Sequence, residues 1–366
     1  MNFKKIIYQI KKKLKLLNRT KNYLLKKQYI PDYLSNINIE NTSVCNLKCR
    51  FCAYDKRDLS HVPYTTMSFD FFKDITDQCI DFGYKNFGLT PITGDVFMDK
   101  KIIEKFDYLE KIEDLNGFYF YTNFIPLNEI KIEKLFTYKK LTHLGISIYG
   151  HDEESFVKFS KGSVNSFKIL IRNLEFFYKL LNNKKYNFKI EIGHRTSKDF
   201  DISKSNNDLS KIIKKINTLE NVLYDKNHSF NNWGGIIKSD DVKDLNVKFQ
   251  KQLVTKTGSC SLIYSRLAIG ANGLVNACAC RDANFDLKIG DLKKEKLKDI
   301  ISLNNDAYKN LIQNQEKNKF HSVCEKCDFY KSIYEKSFPT WTLKDKDVKI
   351  YSLKEFKKSL STKSHF

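Results

Sequence analysis

Residues 45–52 read Cys45-Asn46-Leu47-Lys48-Cys49-Arg50-Phe51-Cys52, and this octapeptide sets the reading of everything around it. Three thiols on one short loop are soft ligands that suit an iron–sulfur cluster or zinc. Three local ligands, rather than four, leave one iron of a four-iron cluster without a protein ligand. An open coordination position of that kind lets a cofactor or substrate bind the metal directly. Zinc is the alternative, but gaps of three and then two residues on one loop make an unusual zinc half-site.

Outward from this loop the chain alternates short β-like runs with helical periodicity. Candidate strands are Ile37–Glu40, Asn86–Thr90, Phe118–Thr122, His143–Ile148, Phe188–Ile192 and Asn221–Tyr224. Between them lie helical patterns such as Ser68–Phe82 and Ser166–Leu181. Six βα units predict an α/β fold, either a parallel barrel or an open parallel sheet. Active sites of such folds gather at the C-terminal ends of the strands, and the cysteine loop directly follows the first strand.

The other cysteines complete the pattern. Nine are present, and apart from Cys79 on the first helical pattern none falls in the roughly 200 residues after Cys52. The second group is Cys260, Cys278, Cys280, Cys324 and Cys327. Two separated groups predict two metal sites. Taken alone, the Cys324-x2-Cys327 pair also suits a zinc ribbon. Cys79 reads as a core residue.

The Cys-x3-Cys-x2-Cys spacing, with Phe51 just before its last cysteine, resembles the signature of the radical S-adenosylmethionine (radical SAM) superfamily. The resemblance implies a partial (β/α)6 TIM-like barrel. In it Cys45, Cys49 and Cys52 would hold a [4Fe–4S] cluster, and SAM would chelate the fourth iron. Reductive cleavage of SAM would give a 5′-deoxyadenosyl radical that takes a hydrogen atom from the substrate. An electron donor such as flavodoxin or ferredoxin is implied. Further positions are similar to family motifs around SAM. Thr93-Gly94-Asp95 resembles Gly-Gly-Glu, with Asp95 for Glu and Thr93 for the first Gly. Thr122-Asn123-Phe124 resembles Thr-Asn-Gly, with Phe124 for Gly. Ser147 falls where the ribose is touched, and Arg195 offers a cation for the SAM carboxylate or the substrate. Phe51 is included among the SAM-side residues. Asn232-Trp233-Gly234-Gly235 also looks familiar from this family, with the tryptophan read as packing.

The second cysteine group, with a hairpin turn at Ala271–Val275, resembles the C-terminal cluster-binding extensions called SPASM and, when truncated, Twitch. Four ligands and one auxiliary [4Fe–4S] cluster match the truncated form, with Cys260, Cys278, Cys324 and Cys327 as ligands. Cys280 is left over, as a buried thiol, a substitute ligand or a catalytic contact to the substrate. The layout is closest to the 2-deoxy-scyllo-inosamine dehydrogenases, which oxidise an aminocyclitol alcohol. It is also similar to sulfatase maturases and peptide-modifying enzymes. Those often carry a peptide-binding domain ahead of the barrel, whereas about 35 residues precede the first strand here. The expected reaction is a two-electron oxidation of a small, polar, sugar-like metabolite, with a radical epimerase or a peptide maturase as alternatives.

The expected division is a basic helical segment at 1–34, the barrel at 35–240, the auxiliary cluster domain at 255–335 and a tail at 336–366. The formal charge of +21 is uneven, since residues 1–31 carry ten Lys or Arg and no acid. The remaining 335 residues carry +11, background for a Lys-rich chain, and no nucleic-acid partner is expected. Residues 1–30 mix lysines with Ile6, Ile7, Ile10, Leu14, Leu16, Leu17, Leu24 and Leu25. Such a helix either packs on the barrel with a solvated basic face or lies on an anionic membrane. The run Ile6-Ile7-Tyr8 is too short for a signal peptide, and no stretch reaches the ~18 apolar residues of a membrane span. A cytoplasmic location, where clustered thiols stay reduced, follows as an expectation.

Overall fold

The computed structural model describes residues 3–249, 254–336 and 349–363. Six parallel strands lie side by side in chain order: β1 (Ile37–Ile39), β2 (Asn86–Gly88), β3 (Gly117–Thr122), β4 (Leu141–Tyr149), β5 (Lys189–Arg195) and β6 (Val222–Asn227). The chain is thus an α/β protein with the expected parallel sheet. Period-two alternation builds it. Phe118, Phe120, Leu144, Ile146, Ile148, Ile190 and Ile192 are each buried on the face under the helices. The alternate residues Tyr119, Tyr121, His143, Gly145, Ser147, Glu191, Gly193 and Arg195 line the opposite, lumen face.

The crossovers are amphipathic helices, including α1 (Phe69–Phe82), α2 (Ile102–Lys111), α3 (Glu129–Leu135), α4 (Glu153–Ser160), α5 (Val164–Asn183) and α6 (Asp208–Ile216). In α1, Ser68 caps the N-terminus by accepting from the Phe71 amide at 3.2 Å. Phe72, Ile75, Thr76, Cys79 and Phe82 form its buried face, which places Cys79 in the core. Phe106 of α2 stacks on Phe118 and Phe120 at 5.2 and 5.1 Å, and each such buried ring stabilises by roughly 1.5–3 kcal/mol.

The cysteine-rich C-terminal part does not form a separate sheet. Strand β7 (Ala268–Ile269) pairs in parallel with β1, placing Ala268 opposite Asn38 and Ile269 opposite Ile39. Strands β8 (Leu274–Asn276) and β9 (Lys288–Asp291) then add antiparallel, so one nine-stranded sheet runs through both parts. The β7–β8 connection is the expected hairpin, with Gly273 at φ +91 after Asn272.

The basic N-terminal segment is helical over Phe3–Leu24, and among its described side chains those turned to the body are mostly polar, with Tyr23 edge-on to the Tyr334 ring at 5.1 Å. Asn22 donates to the Tyr334 carbonyl at 2.9 Å, Lys15 pairs with Glu335, and Arg19 is 5% exposed. Among the described side chains Ile10, Leu14, Leu16, Leu17 and Leu24 are exposed and not packed on the barrel. Ile6 and Ile7 lie outside the described side chains. Near the other end, a helix over Leu353–Lys363 buries Leu353, Phe356 and Leu360, while residues 337–348 and 364–366 of the expected tail lie outside the described residues. Among the described residues no helix is long and apolar enough to cross a membrane.

Candidate functional site

The cysteine loop leaves the C-terminal end of β1 and is fixed from several sides. The Lys48 and Arg50 amides donate to the Ser160 and Phe159 carbonyls at the end of α4, at 3.1 and 3.0 Å. The Arg50 guanidinium holds Asp244 with two bonds of 2.9 and 2.7 Å. Tyr54 donates its hydroxyl to the Cys45 carbonyl at 3.2 Å. Phe51 packs on Tyr149 and Phe230 with ring centroids 5.3 and 4.7 Å away. Trp233, read from the sequence as packing, donates its indole N–H to the Phe51 carbonyl at 2.9 Å and so braces the loop.

Burial pushes the thiols of Cys45, Cys49 and Cys52 up, and Cys52 raises both Cys45 and Cys49 further. Arg195 stands near enough to Cys49 and Cys52 to oppose that shift, as does Arg281 for Cys52. Three thiols, Cys49 buried and Cys45 and Cys52 half-buried, that resist ionising on their own beside fixed cations are a donor set that bound iron would ionise. The residues fit a cluster. Among the described residues no three His, Cys, Asp or Glu side chains converge on one ion position. A cluster, in which each thiolate meets a different iron, needs no such convergence.

The residues expected around SAM line the same strand ends. Gly94 has φ +144, and a Cβ there would stand 3.0 Å from the Val44 carbonyl oxygen and 3.1 Å from that of Thr42. The next amide, of Asp95, donates to the Val44 carbonyl at 2.9 Å, so this turn and the start of the cysteine loop are held together. The buried Asp95 carboxylate accepts from the Phe97 amide at 3.0 Å, the Thr122 hydroxyl at 2.9 Å and the Asn123 amide at 2.7 Å. Its observed work is therefore to pin the end of β3. Asn123 donates to the Asn46 side chain at 2.7 Å, reaching the cysteine loop. Phe124, where the family motif has Gly, sits buried at φ +66. The Thr93 hydroxyl accepts from Arg57 at 3.0 Å, and Ser147 accepts from Arg195 at 3.4 Å.

The second group comes together around β8 and the helix Ser322–Lys326. Gln315 bridges it, accepting from the Cys260 amide at 2.9 Å and donating to the Cys324 sulfur at 3.5 Å. The Phe329 amide donates to the Cys327 sulfur at 3.3 Å. Such N–H donors to sulfur are a device by which proteins tune cluster potentials. Burial pushes Cys260 up to about 12. Cys280 belongs to the same group: a hydrogen bond with Cys278 and the charges of Arg266, Arg281 and Lys331 bring its thiol down to about 6.

Sequence reasoning missed the lumen between the two groups. One layer holds Asn38, Gly88, Tyr119 and His143, and the next holds Tyr121, Gly145 and Glu191. Tyr121 donates to Glu191 at 2.6 Å, and His143 Nε2 lies 3.2 Å from the Tyr121 hydroxyl and 3.5 Å from the Glu191 carboxylate. Burial would raise the Glu191 carboxyl, but bonds from His143 and Tyr121, with Arg195 nearby, hold it below its ordinary value. Above this layer a Cβ on Gly193 would meet nothing closer than 3.9 Å, which leaves room beside Ser147. Tyr119 receives a bond from Arg266 of the C-terminal part at 3.5 Å. Glu40, directly after β1, was also missed. Burial pushes it up to about 7 despite Arg57, and it accepts from the Ile92 amide at 2.9 Å. Polar residues alternating with apolar ones in β3–β5 were the available signal.

Comparison with known proteins agrees with this geometry. Residues 39–192 match the radical SAM superfamily, and residues 260–328 match the SPASM iron–sulfur cluster-binding domain. No curated protein matches the chain. Among solved structures, BtrN in complex with AdoMet and 2-DOIA is 15% identical and has a TM-score of 0.50, covering 80% of this chain and 92% of its own. SuiB of Streptococcus suis bound to its precursor peptide SuiA is 14% identical and has a TM-score of 0.52, with 81% and 72% covered. At such identities the likeness is one of fold. The chain belongs to the radical SAM superfamily and carries a SPASM-type domain, and its cofactors are SAM and an iron–sulfur cluster in each of the two parts.

Proposed function

We propose that this radical SAM enzyme oxidises a secondary alcohol of a sugar- or aminocyclitol-like metabolite held in the barrel lumen. Cys45, Cys49 and Cys52 would hold the cluster that binds SAM, and Cys260, Cys278, Cys324 and Cys327 the auxiliary one. When bound, SAM with the first cluster supplies a hydrogen-abstracting group and the second cluster an electron acceptor.

One observation carries the reading: the Glu191 carboxyl, held by Tyr121 and His143, faces the lumen one layer below Ser147 and Gly193. Oxidising an alcohol to a ketone removes a hydrogen atom from carbon, a proton from oxygen and one electron. The carboxylate is the base for that proton, and Tyr121 and His143 fix its orientation. Arg195, bonded to Ser147 and lying 5.9 Å from the Tyr149 ring centroid, would orient the SAM carboxylate or a substrate oxygen. An electron donor such as flavodoxin or ferredoxin belongs to the same proposal.

A peptide substrate is the second reading, favoured by one feature. Strand β6 pairs only with β5 among the described strands, and its Leu223 is 61% exposed, so an extended segment has an edge to join. The test is reconstituted enzyme with SAM and reductant, offered a panel of deuterated aminocyclitols and sugars alongside peptides. Deuterium in 5′-deoxyadenosine with a ketone product supports the proposal. An alcohol product in which one hydrogen has replaced the deuterium would make the enzyme an epimerase, and turnover of peptides alone would make it a maturase.

A further inference from the structure

Among its described side chains, the N-terminal helix Phe3–Leu24 turns a mostly polar side to the protein and an apolar stripe to solvent. Ile10, Leu14, Leu17 and Leu24 recur at spacings of four, three and seven residues, which keeps them on one side of the helix. They are 50%, 58%, 65% and 74% exposed. On the opposite side Asn22 is buried against the Tyr334 carbonyl, Lys15 pairs with Glu335, and Arg19 is buried with its charge near Tyr330. An amphipathic helix in water normally does the reverse. Here the apolar side is left over after the helix has been anchored by its polar side.

We propose that this stripe seats the enzyme on an anionic lipid surface. The charge of the segment selects that occupant. Ten Lys or Arg and no acid fall within residues 1–31, and Lys13 and Lys21 lie beside the exposed leucines. A second copy docking through the same face would set one such segment against another, so self-pairing is repelled. A nucleic acid would meet the lysines but has no use for a row of exposed Ile and Leu. An anionic bilayer uses both, taking the leucines into the headgroup boundary and the lysines among the phosphates. The helix then lies in the membrane plane with the barrel on the water side.

The test is co-sedimentation of the full-length, cluster-loaded enzyme with phosphatidylcholine vesicles, with and without about one-third phosphatidylglycerol. Leu14→Ser/Leu17→Ser and Lys13→Gln/Lys21→Gln variants are run beside the parent. The parent should bind the anionic vesicles at least tenfold more tightly than the neutral ones. Both variants should lose at least tenfold, with SAM cleavage in vesicle-free buffer unchanged, which shows that they are folded. Equal binding to both vesicle types, no binding at low salt, or binding untouched by the serine pair would overturn the proposal. So would a parent that self-associates in sedimentation velocity while the serine variant does not, since a second copy would then be the occupant.

Discussion

Replacing Gly94 by alanine would place a methyl group against the backbone that leads into the cysteine loop. The new Cβ would lie 3.0 Å from the Val44 oxygen and 3.1 Å from both the Ser43 carbonyl carbon and the Thr42 oxygen. All three are backbone atoms, so no side chain can swing away. The φ of +144 adds the strain of a region essentially reserved for glycine, about 1–3 kcal/mol. Relief by moving the loop stretches the 2.9 Å bond from the Asp95 amide to Val44, about 1 kcal/mol more. A total of roughly 2–4 kcal/mol is expected, falling on the junction between the Thr93–Asp95 turn and Cys45–Cys52. If half of it is expressed in that junction, the Kd for SAM rises about tenfold. Equilibrium dialysis of SAM against the cluster-loaded variant, with a urea titration of the same sample, reads both effects. An alanine variant with parental SAM affinity and parental stability would refute the idea that this glycine joins the two loops.

Further outcomes are expected at three residues. Glu191→Gln should slow substrate oxidation by about 10²–10³-fold while substrate-triggered formation of 5′-deoxyadenosine continues. Parallel loss of both would make Glu191 a binding residue only. Because its carboxyl is held below the ordinary value, the acid limb of the parent's activity should stay flat through neutral pH and fall only well into acid. Glu40 has the opposite sign: its carboxyl is raised from 4.5 to about 7, so the stabilisation present at pH 4.5 is lost as the pH rises through 7. The apoprotein should lose about 3 kcal/mol between those limits, measured by urea unfolding, and Glu40→Gln should flatten that dependence. Trp233→Phe removes the indole donor to the Phe51 carbonyl and should cost about 1–2 kcal/mol, seen as a lower urea midpoint at unchanged slope.

The elements visible in the sequence were those with a strong local period. Strands β3 to β5 alternate large apolar residues with polar ones, and α1 repeats its buried positions over 14 residues. The cysteine loop was legible because its chemistry is local, with three thiols in eight residues. What escaped was set by contacts between distant segments. Strand β7 is two residues long, too short to carry a period, yet it joins the C-terminal part to the barrel sheet. Tyr121, His143 and Glu191 meet across three strands, which spacing along the chain cannot show. Glu40 looks like the end of a strand until Arg57 and the Ile92 amide are folded against it. The stripe on the N-terminal helix was visible as a pattern, but only its anchoring through Arg19 and Asn22 shows which way it faces.

The most direct test of the two-cluster reading is the iron and sulfide content of anaerobically reconstituted protein, measured together with conversion of SAM to 5′-deoxyadenosine under a reductant. A Cys45→Ala/Cys49→Ala/Cys52→Ala variant is measured in parallel. About eight irons in the parent, about four in the variant and SAM cleavage in the parent alone are predicted. Zinc in place of iron, or SAM cleavage that survives loss of the three thiols, would contradict it.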